Sequence, residues 1–453
     1  MSAISDFSFT PDQFRQLASD VLRHAERCGA TACETDVSEG IGQSVTVRKG
    51  EVETIEFNRD KGIGVSVYLG QRRGHASTSD FSPASLRATV EAALSIARFT
   101  AEDDCAGLPD PALLARGTMD LDLYHPWALS VEDAIDIASR SEAAAFAVDP
   151  RIRNSEGATV STHAAHFMSA NSLGFMGGFP TTRHYISCVP IAQSGKGGKD
   201  MQRDDWYSGW RDPAQLSAPE IIGDYAARRT LSRLGAKKLK TRQCKIILEA
   251  PLATMLIGSF VHAVSGSSLY RKSSFLVDSL GQRLFPEWMN IDERPHLRNA
   301  LASTPFDDDG VATRDRTVVD RGVLQGYFLS TYTARKLGMP TTGNAGGSHN
   351  LLIAPSPGAP ADFAGLLKQM GTGLLVTELL GHGINYVTGD YSRGAAGYWV
   401  EKGEIVYPVH EVTVAGNLRD MFAGIEAIGR DTVTRGSRTV GSIVIDRMTV
   451  AGS

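Results

Sequence analysis

The sequence predicts an α+β protein of two domains, each with antiparallel sheets and flanking helices. Three observations carry this. The 453 residues exceed what one hydrophobic core ordinarily organises, so the chain should divide. Helical and strand-like stretches come in groups instead of alternating strictly, which favours α+β over a doubly wound sheet. A basic-Gly turn also recurs between β-like runs, at Arg48-Lys49-Gly50-Glu51-Val52, Asp320-Arg321-Gly322-Val323-Leu324 and Glu401-Lys402-Gly403-Glu404-Ile405. Hairpins use such turns. They arise readily by chance too, so they lend a duplicated plan only mild support.

The first helix is signposted by a Thr10 cap and Pro11, with Phe14, Leu17, Val21 and Leu22 as an apolar stripe running to Cys28-Gly29. Alternating segments 43–48, 51–58 and 62–69 follow, separated by turn residues Lys49-Gly50 and Asp60-Lys61-Gly62, as in an antiparallel meander. Further helices are predicted over 83–98 and 130–147, the latter capped by Ser130 with Asp133. Strands return over 159–194, and another helix covers 219–234. The basic stretch Lys237-Lys238-Leu239-Lys240 with Arg242 reads as a solvated linker, placing the N-terminal domain at 1–235 and a β-rich C-terminal domain at 243–453. That second domain opens with strand 244–248 and helix 252–264, then continues mostly as short strands with Gly- and Pro-rich turns.

Composition narrows the function. With 42% hydrophobic and 21% charged residues the chain is globular, and a net charge of −5 offers no electrostatic case for nucleic acid. No run approaches the roughly 18 apolar residues a membrane helix needs. The N-terminus carries no secretory signal, and five scattered cysteines suggest neither a disulfide framework nor a zinc knuckle. A reducing cytoplasm is the plain expectation.

Zinc hydrolysis needs two or three His or carboxylate ligands and a nearby general base. Among the eleven histidines there is no His-Glu-x-x-His; the one His-Glu dipeptide, His410-Glu411, has no second histidine in reach. His163 and His166 lie in a strand-like run, where residues three apart face opposite ways. Glu378 and His382, four apart among glycines and joined with His349, form the one candidate polar site, with a tight turn as the ordinary reading. No Gly-x-Ser-x-Gly elbow, P-loop or dinucleotide fingerprint occurs. Ser265-Gly266-Ser267-Ser268 suits a flexible or anion-binding turn. Tyr270, Arg271, Lys272 and Ser273 place two cations beside hydroxyls, a composition fit to grip a carboxylate or a peptide backbone. Asp390 and Arg393, between glycines, suit a turn held by an internal ion pair. For both segments a structural role is the alternative.

Those segments carry a resemblance. Val376-Thr-Glu-Leu-Leu-Gly-His-Gly383, the stretch from Thr388 to Val400 and the stretch from Gly403 to Met421 resemble the C-terminal signature of the TldD/PmbA family, on its PmbA (TldE) side. Residues 265–276, 301–310, Ala345-Gly-Gly-Ser-His-Asn350 and 226–234 are similar to the same branch, and coverage is essentially the whole chain.

The resemblance implies a two-domain subunit of a metalloprotease complex that cleaves peptides or small unfolded proteins, as in peptide-antibiotic maturation and protein turnover; an older label is modulator of DNA gyrase. It implies a TldD-type partner that carries His-Glu-x-x-x-His, a distal cysteine and the zinc. In the corresponding segment this chain reads Leu256-Ile-Gly-Ser-Phe-Val-His-Ala-Val264, with His262 alone and no cysteine after Cys244. No catalytic residue, metal ligand or cofactor is therefore expected here, and His262 is expected to pack on its helix. Substrate contacts are expected from Tyr270, Arg271, Lys272, Ser273, Asp390 and Arg393. A self-sufficient metallopeptidase using Glu378, His382 and His349, and a peptide- or gyrase-binding module, stay open beside this reading. So does self-association as a homodimer when the partner is absent.

Overall fold

The computed structural model describes residues 7–117, 119–195 and 198–452. They form two compact units. One is Met1–Leu231 with Leu297–Thr313; the other is Ser232–His296 with Arg314–Ser453.

In the first unit, α1 (Pro11–Arg27) starts on Thr10, whose hydroxyl accepts from Gln13 N–H while the Gln13 side chain closes a capping box. Its buried stripe is Phe14, Ala18, Val21 and Ala25, leaving Leu17 and Leu22 half-buried. Then come β1 (Ala32–Arg48), β2 (Glu51–Leu69), β3 (Arg72–Thr78), α2 (Pro83–Phe99) and α3 (Val131–Val148). The unit ends with β4 (Ile152–Asn171), β5 (Met176–Gly177), β6 (Pro180–Ser194), β7 (Asp200–Arg203), β8 (Trp206–Trp210) and α4 (Pro219–Ser232). Among the described residues the strands make one antiparallel sheet in the order β3-β2-β1-β4-β6-β7, with β5 on β4 and β8 on β6.

The turn expected at Asp60-Lys61-Gly62 does not form. Strand β2 runs straight through it, because β1 is long enough to pair with it from Ala32↔Tyr68 to Arg48↔Glu51. A ladder continuing on both sides of Gly62 outweighs local turn chemistry. The turn at Lys49-Gly50 does form, with φ of 55 and 75; Arg321-Gly322 (47 and 77) and Lys402-Gly403 (51 and 83) share it. Two successive left-handed residues are what a type I′ hairpin requires, so all three basic-Gly turns are one device. Glu142 of α3 fastens the first, accepting from Lys49 N–H and Gly50 N–H at 2.9 Å each.

Leu297–Thr313 joins this unit through defined contacts. Arg211, 3% exposed, donates to Ala300 O at 2.9 Å and Leu301 O at 2.8 Å, and Phe306 packs edge-on to Phe175 at 5.0 Å.

The second unit holds β9 (Arg242–Leu248), α5 (Ala250–Ala263), α6 (Gly266–Tyr270), β10 (Ile291–Glu293), β11 (Arg316–Asp320), β12 (Val323–Leu324), α7 (Thr331–Lys336) and β13 (Leu351–Leu352). After these come α8 (Phe363–Met370), β14 (Gly373–Leu380), β15 (Ile384–Asn385), β16 (Asp390–Glu401), β17 (Glu404–Asn417) and α9 (Leu418–Ala423). Last are β18 (Ile425–Ile428), β19 (Val433–Arg435), β20 (Arg438–Val440) and β21 (Ile443–Ala451). One sheet runs β12-β11-β10-β13-β20-β19; the other runs β14-β9-β21-β17-β16 and returns to β14, a closed ring without free edges at those joins. Pairing is antiparallel except at β14·β9 and β13·β20.

Most strands after α5 are short, as expected, with β16 (12 residues) and β17 (14 residues) as the long exceptions. Glycines inside β16 suggested turns, yet Gly397 marks a close crossing, since a Cβ there would lie 1.9 Å from Leu375 O. The basic stretch is solvated as expected, with Lys237, Lys238, Lys240 and Arg242 all exposed, but it is also anchored. Leu239 is buried, Lys237 sits 4.9 Å over the Tyr407 ring and Arg242 lies 4.7 Å over Trp399. One face of the ring (Ile246, Leu248, Leu374, Val376, Trp399) shares its core with α5, and the other (Ile247, Leu375, Val400, Val444) meets α8.

Candidate functional site

Helix α5 is apolar nearly all round, starting at Pro251 near its N-terminus and burying Leu252, Leu256, Ile257, Phe260 and Ala263. Its remaining face (Met255, Gly258, Ser259, Val261, His262) lines a cleft of about 650 Å³. Ser265, Gly381, His382, Ile384, Tyr386, Arg393 and Arg438 complete the wall. The His262 ring lies on Tyr386, centroids 4.0 Å apart. Arg438 opens β20 and crosses the helix at Gly258, where a Cβ would meet its guanidinium carbon at 3.1 Å. Arg393 points to the buried side of β16, and its Nη2 donates to Leu379 O at 3.3 Å. No Asp or Glu lines the cleft. Burial lowers the Arg438 pKa, and the buried Tyr391 phenol is pushed up despite the Arg393 charge beside it. The arrangement can neutralise and orient an anion.

The expected residues are distributed as follows. Tyr270 and Arg271 meet at the end of α6, where Arg271 Nε donates to Tyr270 Oη at 2.9 Å; Arg271 and Lys272 are exposed, and Ser273 bonds back to Ser268 O. Phe275 N–H donates to Tyr386 O at 2.7 Å, which ties this segment to the loop entering β16. Asp390 and Arg393 do not form the expected ion pair. They lie in a strand, three apart, and so face opposite ways: Asp390 accepts from Thr388 and Asn417 while Arg393 is buried.

Glu378, His382 and His349 have separate surroundings. Glu378 pairs with Arg233, His382 lies at the cleft, and buried His349 contacts Gly343 O at 2.9 Å through Nε2. His163 and His166 face opposite ways as expected: His163 is exposed, whereas His166 is buried against Phe14 and Glu39. Sequence reasoning missed Arg438 and Tyr386 altogether and set His262 aside, though it lines the cleft. Only the proximity of β20 to α5 reveals them, and no spacing encodes that.

On the donor set, α5 carries one imidazole, His262, beside a guanidinium. Among the described residues no three His, Cys, Asp or Glu side chains gather in a group able to hold a metal. Residues of this kind do not fit zinc.

A closed strand ring backed by such a helix, together with a second α+β unit, is the architecture of the family that comparison with known proteins shows. Residues 241–452 match the C-terminal domain of PmbA/TldA metallopeptidases, 124–234 the central domain and 33–97 domain 1. The chain is 48% identical to metalloprotease PmbA of Escherichia coli O157:H7 over 92% of each chain. It is 45% identical to a metalloprotease PmbA homolog of Haemophilus influenzae over 97% of this chain and 96% of that one. A metalloprotease TldD homolog of Haemophilus influenzae is more distant, at 23% over 83% of this chain and 80% of that protein. A candidate modulator of DNA gyrase from Bacteroides thetaiotaomicron superposes with a TM-score of 0.91 at 27% identity, over 98% of this chain and all (100%) of the other. TldE from Thermococcus kodakarensis shares the fold, with a TM-score of 0.82 at 18% identity over 96% and 100%. The chain belongs to the PmbA/TldD metallopeptidase family. Among the described residues no helix is long and apolar enough to cross a membrane.

Proposed function

We propose that this chain is the PmbA/TldE-type subunit of a cytoplasmic TldD/TldE-like metalloprotease complex. It pairs with a TldD-type subunit and helps hold peptides or small unfolded proteins, while the zinc and the bond-breaking chemistry reside on the partner. The single observation that carries this is the face of α5: His262 stands there without a second ligand or a carboxylate base, and Arg438 lies across Gly258. The much higher identity to PmbA-named relatives than to TldD-named ones agrees with it.

Peptide contacts are assigned to Tyr270, Arg271, Lys272 and Ser273 and to Asp390 and Arg393, which flank the loop that leads from the cleft. An extended peptide is held by backbone pairing with cations available for its acidic groups.

The test is peptide cleavage by each purified subunit and by the mixture. Cleavage that needs both chains, with stoichiometric zinc bound to the partner alone, is expected. Full zinc-dependent cleavage by this chain alone, or an unchanged rate when it is omitted, overturns the proposal.

A further inference from the structure

The cleft on α5 carries charge of one sign only. Arg393 is 9% exposed, and its Nε is shielded from solvent without a hydrogen-bond partner; the Nε of Arg438 is in the same state. Two other shielded arginines, Arg211 and Arg316, have partners for Nε and for both Nη atoms. Arg211 donates to the carbonyls of Thr182, Ala300 and Leu301, and Arg316 to Glu293, Tyr327 O and Asn344. Arg393 is buried and Arg438 half-buried, and the cleft offers neither a counter-charge; shielding a guanidinium without one is costly, so the pair suits an anion that arrives from outside.

The shape of the cleft limits what that anion is. A planar guanidinium fork matches a planar carboxylate in a bidentate way. The cleft, at about 650 Å³, is far larger than a lone carboxylate, and Met255, Val261, Ile384 and the Tyr386 ring give it apolar wall beside the charges. We infer that it binds the C-terminal carboxylate of a short apolar peptide, with Arg393 and Arg438 on the anion and the preceding side chains against that wall. The inference rests on the reading that this chain handles peptides, and it assigns to Arg438 and His262 a place that reading does not.

The experiment is calorimetric titration of the purified full-length chain with an apolar tetrapeptide as free acid, and with the same peptide C-terminally amidated. A third peptide, amidated but carrying an internal Glu, separates a terminal carboxylate from a side-chain one. Two variants accompany it: Arg438→Gln, which removes the charge, and Gly258→Ala, which keeps both arginines but pushes the Arg438 guanidinium aside. The expected result is binding of the free acid, at least 10-fold weaker binding of both amides, and at least 10-fold loss in R438Q with a smaller loss in G258A. Absence of binding, equal affinity for acid and amide, tighter binding of the internal-Glu peptide, or unchanged binding in a folded R438Q overturns it. Should R438Q fail to fold, the acid–amide comparison and G258A decide. This readout uses the chain alone, so its failure leaves the two-subunit cleavage test standing, and failure of that test leaves an acid preference intact.

Discussion

Glu293 offers the sharpest test of how the second unit is held together. It is 1% exposed and sits against Arg316, whose side chain is 13% exposed, with Nε 2.6 Å from Oε2. Its other oxygen accepts from Asn344 Nδ2 at 2.8 Å and from His349 N–H at 2.7 Å. Three donors from β11 and the 344–349 loop therefore converge on one carboxylate of β10. Glu293→Ala strands all three. Removing one partner of a buried ion pair costs about 3–5 kcal/mol, because the surviving charge stays buried. Against a total of about 5–15 kcal/mol for a natural domain, the unit should remain folded but marginal. Urea denaturation followed by Trp288 and Trp399, which both lie in this unit, isolates its transition once Trp127, Trp206 and Trp210 of the first unit are replaced by Phe. With a slope of about 2 kcal/mol per molar, the midpoint should fall by about 1.5–2.5 M. The double replacement Glu293→Met with Arg316→Met should recover most of the loss, since neither charge is then stranded. A midpoint shift below about 0.3 M in Glu293→Ala would refute the reasoning. It would also remove the ground for regarding His349 as a structural residue.

Glu142→Ala leaves the Lys49 and Gly50 amides without their acceptor; loss of about 2–3 kcal/mol from the first unit is expected in thermal melts, and an unchanged melt rejects the clamp. Burial pushes the Glu39 carboxyl up, but bonds from Ser8, His166 and Phe9 more than offset this and hold it below the usual carboxylate range. A lowered folded pKa gives stability that is present above about pH 4.3 and lost as pH falls through the folded value. Wild type should thus shed stability below pH 4 more steeply than Glu39→Gln, and parallel slopes would exclude it. Arg271→Ala should weaken substrate capture by the two-subunit complex several-fold without preventing assembly, read as KM against co-elution; an unchanged KM removes Arg271 from the peptide path.

How much of this was legible in the sequence depends on the distance over which each feature is determined. Local signals transferred well. The Thr10 cap, the Ser130 capping box and the basic-Gly hairpin turns need only residues within a few positions, and the hydrophobic stripe of α1 was misread at its edges alone. Features set by a partner strand were missed. Gly62 and Gly397 read as turn residues, yet one sits in a ladder fixed by β1 and the other lets β14 cross close by. The basic stretch before β9 is solvated as read, but its anchoring was missed because Tyr407 and Trp399, over which Lys237 and Arg242 lie, are more than 150 residues away. The candidate site divided in the same way. Arg393 was singled out by composition, whereas Arg438 is ordinary in its local sequence and acquires meaning only where β20 reaches α5.

That contact also bears on why zinc would be excluded from this chain. Two unit charges of like sign repel by about 332/(εr) kcal/mol, so a dication within about 6 Å of a guanidinium at an effective dielectric of 20 meets about 5 kcal/mol of repulsion. Arg438 lies across Gly258, one turn before His262 on the same helix face. A metal placed on that face would lack both a second imidazole and a carboxylate, and would meet a fixed cation as well. Restoring ligands to α5 alone should therefore yield a poor zinc site while Arg438 remains. On the proposed reading, the ligands missing from α5 and the arginine that β20 lays across it act together: both would favour an anion over a cation at this face.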